Sequence, residues 1–233
     1  MARPQQFEED LDFLLDKLTV SEEAQLRTKL NSVREMLVDL HKKNLIKINH
    51  SVMEFLCAKE LIARGYDVDV EHTLSDTITC DIFGEKDNGS AIVEIETGFV
   101  FPDHALDPLT YTMARVASKI ARYSSYTNKF SLGTLPNNIL NIPQLFLKPP
   151  RYRDEDEIAE IKTCLDKYYK NPSISTDEIR QARLHTIYII YVDAGKVREI
   201  DPEAYIEPTT QPSFSILKKF NSKNSECIAR LSR

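Results

Sequence analysis

The residues best suited to chemistry are three carboxylates on two adjoining segments with strand character. Asp81 lies near the end of residues 77–83, and Glu94 and Glu96 lie within residues 91–96. Side chains two positions apart in a strand share a face, so Glu94 and Glu96 point the same way. An antiparallel hairpin can bring Asp81 beside them, although the turn at residues 87–89 does not fix the register. Such carboxylates repel one another unless a cation lies between them, and oxygen ligands suit Mg²⁺ or Mn²⁺. The spacing predicts a divalent-metal site that can activate water and polarise a phosphate.

The Glu-x-Glu pattern also fits the wet face of an edge strand. In that arrangement Val93 and Ile95 are buried behind two solvated glutamates. Alternation of apolar and polar residues produces this pattern in many half-exposed strands, and on the pattern alone it is the commoner explanation. The surrounding residues are what favour a metal site.

The segments around the carboxylates predict alternating helices and strands. A helix carrying Glu54 is expected up to Arg64, followed by a strand over 66–72 and the two carboxylate-bearing strands. Further elements are expected as a helix over 109–128, a strand over 130–135, a helix over 157–169 and a strand over 186–192. The last segment is uniformly apolar, which indicates burial on both faces in the sheet centre. The order predicts an α/β fold, with a mixed central β-sheet flanked by helices over residues 49–200.

Two further regions flank this core. Residues 1–48 predict an N-terminal helical region, in which apolar residues recur at heptad spacing. These residues are Leu26, Leu30, Val33, Leu37 and Leu40. Such a seam predicts a dimerisation arm and a homodimer, although the same stripe would pack equally well on the body of the domain. Residues 201–233 form a C-terminal tail that is basic from Ser213 onward.

Composition and charge narrow the class of protein. The four cysteines lie far apart without metal-ligand spacing, and the chain has neither a signal-peptide pattern nor an apolar run of bilayer length. We therefore expect a cytoplasmic protein with no membrane partner. The net charge is −6, yet residues 108–153 contain no Asp or Glu and include seven Lys and Arg residues. An acidic focus beside a basic stretch suits an enzyme that binds metal and polyanion together, whereas a chance charge block on a solvated face is the alternative.

The wider pattern resembles the core of the PD-(D/E)xK nuclease superfamily, which includes restriction enzymes, archaeal Holliday-junction resolvases and RecB-type exonucleases. The matching residues cover roughly 49–130 and are Glu54, Gly65-Tyr66-Asp67-Val68, Cys80-Asp81 and Val93-Glu94-Ile95-Glu96. The resemblance implies a restriction-endonuclease-like fold and a DNA endonuclease that uses Mg²⁺ or Mn²⁺, with structure-specific substrates such as junctions or flaps. It implies that Asp81 and Glu94 bind the metal, and that Glu54 supports metal or water.

Glu96 departs from the superfamily pattern, which usually has lysine there. The segment Lys119-Ile120-Ala121-Arg122-Tyr123 is similar to the Gln-hydrophobic-x-x-Tyr motif of RecB-like nucleases, with Lys in place of Gln. Lys119 is therefore expected either to supply the missing catalytic cation or to grip the DNA backbone, while Glu96 orients water or a second ion. Spacings of four, three and four residues place Arg115, Lys119, Arg122 and Tyr126 on one helical face. The predicted DNA-binding residues are Arg115, Arg122, Tyr123, Tyr126 and Lys129.

Two other functions remain open at this point. The change to Glu96 is compatible with a DNA-binding protein that kept the fold and lost catalysis. The acidic patch and the heptad seam are compatible with a protein-interaction module. The chain, with His104-Ala105-Leu106-Asp107-Pro108, also resembles nucleases of crenarchaeal viruses, which would place it in the host cytoplasm.

Overall fold

A computed structural model describes residues 4–46 and 48–207. The basic residues of the predicted C-terminal tail, from Lys218 onward, lie outside this range. Within it the helices are α1 (Pro4–Thr19), α2 (Ala24–Lys42), α3 (Ile48–Ala63), α4 (Pro108–Tyr123), α5 (Glu155–Tyr168), α6 (Thr176–Gln181) and α7 (Pro202–Ile206). The strands are β1 (Asp67–Ser75), β2 (Ile78–Lys86), β3 (Gly89–Glu96), β4 (Lys129–Thr134), β5 (Thr186–Tyr191) and β6 (Lys196–Ile200).

The six strands form one mixed sheet in sequence order. Antiparallel hairpins join β1 to β2, β2 to β3 and β5 to β6, whereas β3, β4 and β5 run parallel. The β3–β4 connection contains α4, and the β4–β5 connection contains α5 and α6, because parallel neighbours need a crossover. The predicted α/β fold with a mixed sheet and an N-terminal helical region is confirmed.

Helices cover both faces of the sheet and create two apolar cores. On one face α1, α2 and α3 pack over Val93 and Ile95, and on the other α4 to α6 pack over Ile92. Residues of β5 alternate between the two cores, so the predicted burial on both faces is confirmed. However, β5 is fifth in the sheet order, next to the edge strand β6, and not at its centre. No helix of the described residues is both long and apolar enough to span a bilayer.

The heptad seam of α2 is buried inside the chain. Leu30, Val33 and Leu37 are fully enclosed, and Leu26 and Leu40 are partly buried against the same core. Their neighbours are α1 and α3, so the stripe packs on the body of the domain. The seam therefore does not supply the free surface on which the homodimer prediction was based.

This packing predicts the behaviour of a seam variant. Leu37→Ala should lower the free energy of unfolding by about 2–5 kcal/mol, because a buried leucine leaves a cavity. Leu45→Ala is the matched control, since Leu45 is exposed, and should change stability by less than about 0.5 kcal/mol. Urea denaturation measures both, and sedimentation should give the same mass for wild type and variants. A wild-type dimer that Leu37→Ala dissociates would contradict this assignment.

Candidate active site

Strands β2 and β3 separate where the acidic residues lie. Their pairing runs from Lys86↔Gly89 to Ile82↔Val93 and stops there. Beyond that point the Asp81 N–H donates to Glu94 Oε1 at 3.0 Å, and the Ile95 N–H donates to Asp81 Oδ2 at 2.5 Å. Carboxylates thus satisfy backbone donors that would otherwise continue the ladder. The fork holds Asp81 and Glu94 side by side, as the hairpin pattern predicted.

Glu94 and Glu96 are buried, with 2% and 4% of their surface exposed. They lie on β3, which is paired on both sides by β2 and β4. The alternative of a solvated edge strand is therefore wrong. Burial, and then the charge of Asp81, raises the pKa of Glu94 to about 8 against the opposing effect of Lys119.

Lys119 of α4 reaches this acidic pair. Its Nζ lies 3.1 Å from Glu94 Oε2 and 3.6 Å from Asp81 Oδ2, and it donates to the Ile95 carbonyl at 2.6 Å. Burial disfavours its charge, but Asp81 and Glu94 more than offset this and raise the pKa of Lys119 above its ordinary value. A permanent cation from the neighbouring helix therefore lies beside the carboxylates, where β3 itself offers only Glu96.

Glu54 of α3 is the group in this site that most clearly lacks a partner. It is 1% exposed, and neither carboxylate oxygen has a hydrogen-bond partner among the described residues. Burial, and then the charge of Asp81, raises the pKa of Glu54 well above its ordinary range. Buried polar groups are nearly always paired, so a carboxylate without a partner among the described residues makes this position a candidate for a bound cation.

His50 lies one helical turn before Glu54 and shares its face. One ligand atom each of His50, Glu54 and Asp81 lies within 4.8 Å of the others, which is a donor set suited to a divalent cation. Glu94 is not part of this trio. Sequence reasoning missed His50, although its spacing of four residues from Glu54 was the available signal.

Glu71 of β1 is a second residue that the sequence did not reveal. Its φ of 50° is uncommon for a non-glycine residue. The alternation of side chains in the neighbouring strand β2 is also broken here. Cys80 and Ile82 contribute to opposite cores although only one residue separates them. Burial, and then the charge of Asp81, raises the pKa of Glu71 to about 7. Glu71 therefore lies close enough to Asp81 for the two carboxyl groups to interact.

Glu96 anchors the segment that follows β3. Its Oε1 accepts from Arg115 Nη2 at 2.5 Å and from the Gly98 N–H at 2.9 Å. Its carbonyl oxygen accepts from Thr134 Oγ1 and Asn138 Nδ2, each at 3.0 Å. These contacts tie β3 to α4, β4 and the loop, and none of them involves the trio at Asp81.

The predicted DNA-binding residues are not gathered on one helical face. α4 ends at Tyr123, so Tyr126 lies beyond it in the 3-10 turn Ser124–Tyr126, and the prediction of a helix to residue 128 is wrong. Arg122 donates to the Pro172 carbonyl, and the Tyr123 hydroxyl donates to the Thr79 carbonyl. Only Tyr126 and Lys129 of the set are well exposed.

Arg115 is also engaged within the chain. Besides Glu96, it donates to the Phe99 carbonyl and its guanidinium lies 5.2 Å from the Tyr111 ring centroid. The basic stretch continues in the same way, because Lys148 pairs with Glu157 and Arg153 is buried among backbone carbonyls. The stretch is therefore not one continuous basic surface.

A cleft of about 510 Å³ opens beside the acidic fork. Its lining residues are His50, Ile95, Glu96, Thr97, Phe99, Phe101, Arg115 and Lys119. Through His50 and Lys119 the cleft reaches the carboxylates. A ligand in it would meet Lys119, Arg115 and Glu96 as well as two phenylalanines.

Comparisons with known proteins add little to this description of the site. No protein-family model and no curated protein matches the chain. Among solved structures, the chain is similar to the CdiA-CT/CdiI toxin and immunity complex from Burkholderia pseudomallei at 14% identity, over 66% of this chain and 86% of that chain. The TM-score is 0.25, at which the likeness supports no statement about fold or function.

Proposed function

We propose that the chain is a metal-dependent DNA endonuclease of the PD-(D/E)xK type, which hydrolyses phosphodiester bonds. The observation that carries the proposal is the fork of the partly buried Asp81 and the buried Glu94, with the Lys119 ammonium 3.1 Å from Glu94 and 3.6 Å from Asp81. This combination of two acids and one cation matches the chemistry that the resemblance implies, with the lysine supplied by α4.

The orphaned carboxylate of Glu54 supports a cation in this site. His50, Glu54 and Asp81 offer one nitrogen and carboxylate oxygens, and we propose that they hold Mg²⁺ or Mn²⁺, with Glu94 beside them. Imidazole is a better ligand for transition metals than for Mg²⁺, so Mn²⁺ is expected to bind more tightly. When bound, such an ion polarises the scissile phosphate and lowers the pKa of water.

The protein groups have separable roles in this proposal. Glu94 accepts from the Asp81 backbone and fixes the fork. Lys119 offsets the charge of Asp81 and Glu94 and is one of the residues that line the cleft, where it would face a phosphate. Glu96 holds Arg115 and the loop after β3, so we assign it a positioning role instead of the water-orienting one expected from the sequence.

The proposal is tested by incubating the protein with labelled linear, nicked, flapped and four-way-junction DNA, each in Mg²⁺, Mn²⁺ or EDTA. Cleavage in Mn²⁺ and Mg²⁺ that EDTA abolishes is the expected result. DNA binding without cleavage of any substrate would favour the catalytically inactive DNA-binding protein, which Glu96 in the lysine position made a specific alternative. Absence of both would overturn the proposal.

Metal affinity is expected to increase with pH. The raised pKa values mean that carboxyl groups of the site hold protons that a cation must displace, and each displaced proton adds about tenfold in affinity per pH unit. Calorimetric titration with Mn²⁺ at pH 6 and pH 8 measures the slope. Glu54→Gln should weaken binding at both, whereas Glu85→Gln, at an exposed glutamate, should not. A pH-independent affinity would contradict the site.

The metal-free chain should show the opposite trend in stability. Glu94 binds its proton more tightly when folded, with a pKa of about 8 against an ordinary value of 4.5. Its contribution to the free energy of unfolding is therefore largest below about pH 4.5 and is lost as the pH rises towards 8. Thermal unfolding in EDTA across this range checks the sign.

A further inference from the structure

Two phenylalanines at the cleft are exposed to solvent. Phe99 and Phe101 follow β3 and keep 58% and 45% of their surface accessible. Their rings meet edge to face, with centroids 5.3 Å apart and an interplanar angle of 86°. Large aromatic side chains in this setting favour a ligand with a flat apolar face.

The loop that carries Phe99 is held on both sides of it. The Gly98 N–H donates to Glu96 Oε1, and the Phe99 carbonyl accepts from Arg115 Nη1. Gly98 has φ of +77°, and a Cβ there would lie 2.2 Å from Asn138 Oδ1, so only glycine fits. A platform fixed in this way loses little conformational entropy when a ligand stacks on it.

Phe99 and Phe101 share the cleft with His50, Lys119 and Arg115, and with Glu96, whose charge Arg115 offsets. A ligand that suits the cleft therefore combines negative charge with an aromatic face. A nucleotide has both, since its phosphate can face Lys119 while its base lies against a ring. Bases within a duplex have their faces covered by neighbouring pairs, so only an unpaired base can reach Phe99.

We propose that Phe99, supported edge-on by Phe101, stacks against an unpaired base next to the scissile phosphate, so that DNA with a single-stranded flap or end is the preferred substrate. This inference rests on the proposed function, because the phosphate is placed by the site at Asp81 and Lys119. It narrows the substrate from DNA in general to DNA with an unpaired nucleotide.

The test measures binding in EDTA, where hydrolysis is stopped. Fluorescence anisotropy gives the affinity for a labelled flap, a single strand and a blunt duplex, and 2-aminopurine in the flap reports stacking through quenching of its emission. Phe99→Ala should weaken flap and single-strand binding by roughly 5- to 150-fold, the effect of removing one base–aromatic stack. It should leave duplex binding nearly unchanged and remove the quenching.

Three variants make the outcome specific. Phe99→Trp should restore affinity and quenching, whereas Phe99→Leu keeps bulk without an aromatic face and should restore neither. Phe13→Ala removes a phenylalanine on α1 that is at least as exposed as Phe99 and lies outside the cleft lining, and it should behave as wild type. The thermal midpoint of each variant confirms folding.

The failures of the two proposals are distinguishable. If wild-type protein binds and cleaves DNA but Phe99→Ala discriminates flap from duplex as wild type does, the stacking inference is wrong and the nuclease proposal stands. If wild-type protein neither binds nor cleaves any of the DNAs, both are overturned.

Discussion

Asp81→Asn and Glu94→Gln will each lose DNA cleavage by about 10²- to 10³-fold or more in Mn²⁺, while remaining folded. Removing a single group that stabilises charge at a reacting phosphate is expected to have at least this effect. The amide variants keep an oxygen that can accept the Ile95 or Asp81 N–H, so the fork of β2 and β3 is preserved. Loss of one of two like charges also relieves repulsion, which makes destabilisation of the metal-free chain small.

Single-turnover cleavage of a flapped DNA, with enzyme in excess, measures this effect without a contribution from product release. Asp76→Asn is the control, since Asp76 is an exposed carboxylate in the β1–β2 turn, and it should cleave as wild type does. Calorimetry with Mn²⁺ should show weaker binding for Asp81→Asn than for the control. Near wild-type cleavage by either site variant would exclude its carboxylate from the metal site.

The parts of this site that lie close together in sequence could be predicted. The hairpin of β2 and β3 follows from two strand-like segments and a short turn, and it brings Asp81 to Glu94. Lys119 was predicted from a similarity in the segment after the strand, and the structure places its ammonium beside both carboxylates. Such neighbours can be predicted from local patterns, because one hairpin and one crossover determine where these side chains lie.

The pattern of polar and apolar residues gave weaker predictions where the same side chain could contact either another molecule or the rest of its own chain. The heptad leucines of α2 would suit a second chain or the body of the domain, and only the packing of α1 and α3 decides between these. Arg115 and Arg122 have the spacing of a DNA-binding face, yet carbonyls and Glu96 within the chain accept their hydrogen bonds. A basic residue in a sequence carries no information about which acceptor it meets.

Glu71 and His50 show what sequence reasoning could not supply. Glu71 lies in the alternating stretch 66–72, where it looks like a solvated residue, and neither its φ of 50° nor its closeness to Asp81 follows from that pattern. The spacing of His50 from Glu54 was visible in the sequence, but its closeness to Asp81 depends on α3 packing against β2 and β3. Both residues join the site through contacts between elements that are far apart in sequence. Glu54, which has no hydrogen-bond partner among the described residues, joins it in the same way.

Lys119→Met is expected to lower both the cleavage rate and the free energy of unfolding. Methionine keeps an apolar stem but removes the ammonium that lies beside Asp81 and Glu94. If Lys119 acts on the transition state, the single-turnover rate should fall by about 100- to 1000-fold with little change in DNA affinity. Without metal, the buried Glu94 and the partly buried Asp81 lose their only close cation among the described residues, and stability should fall by about 3–5 kcal/mol.

The two effects separate when metal is added. A cation that binds the folded chain stabilises it by mass action, so Mn²⁺ should recover part of the lost stability of Lys119→Met but not its rate. Lys129→Met is the matched control, because Lys129 is exposed and lies on β4, and a backbone contact there would lower affinity and reduce the salt slope by roughly one unit. Chemical denaturation with and without Mn²⁺, beside single-turnover cleavage, measures all of these quantities. If Lys119→Met instead keeps the wild-type single-turnover rate and loses affinity with a smaller salt slope, Lys119 is a backbone contact and the cation at the reacting phosphate must come from elsewhere.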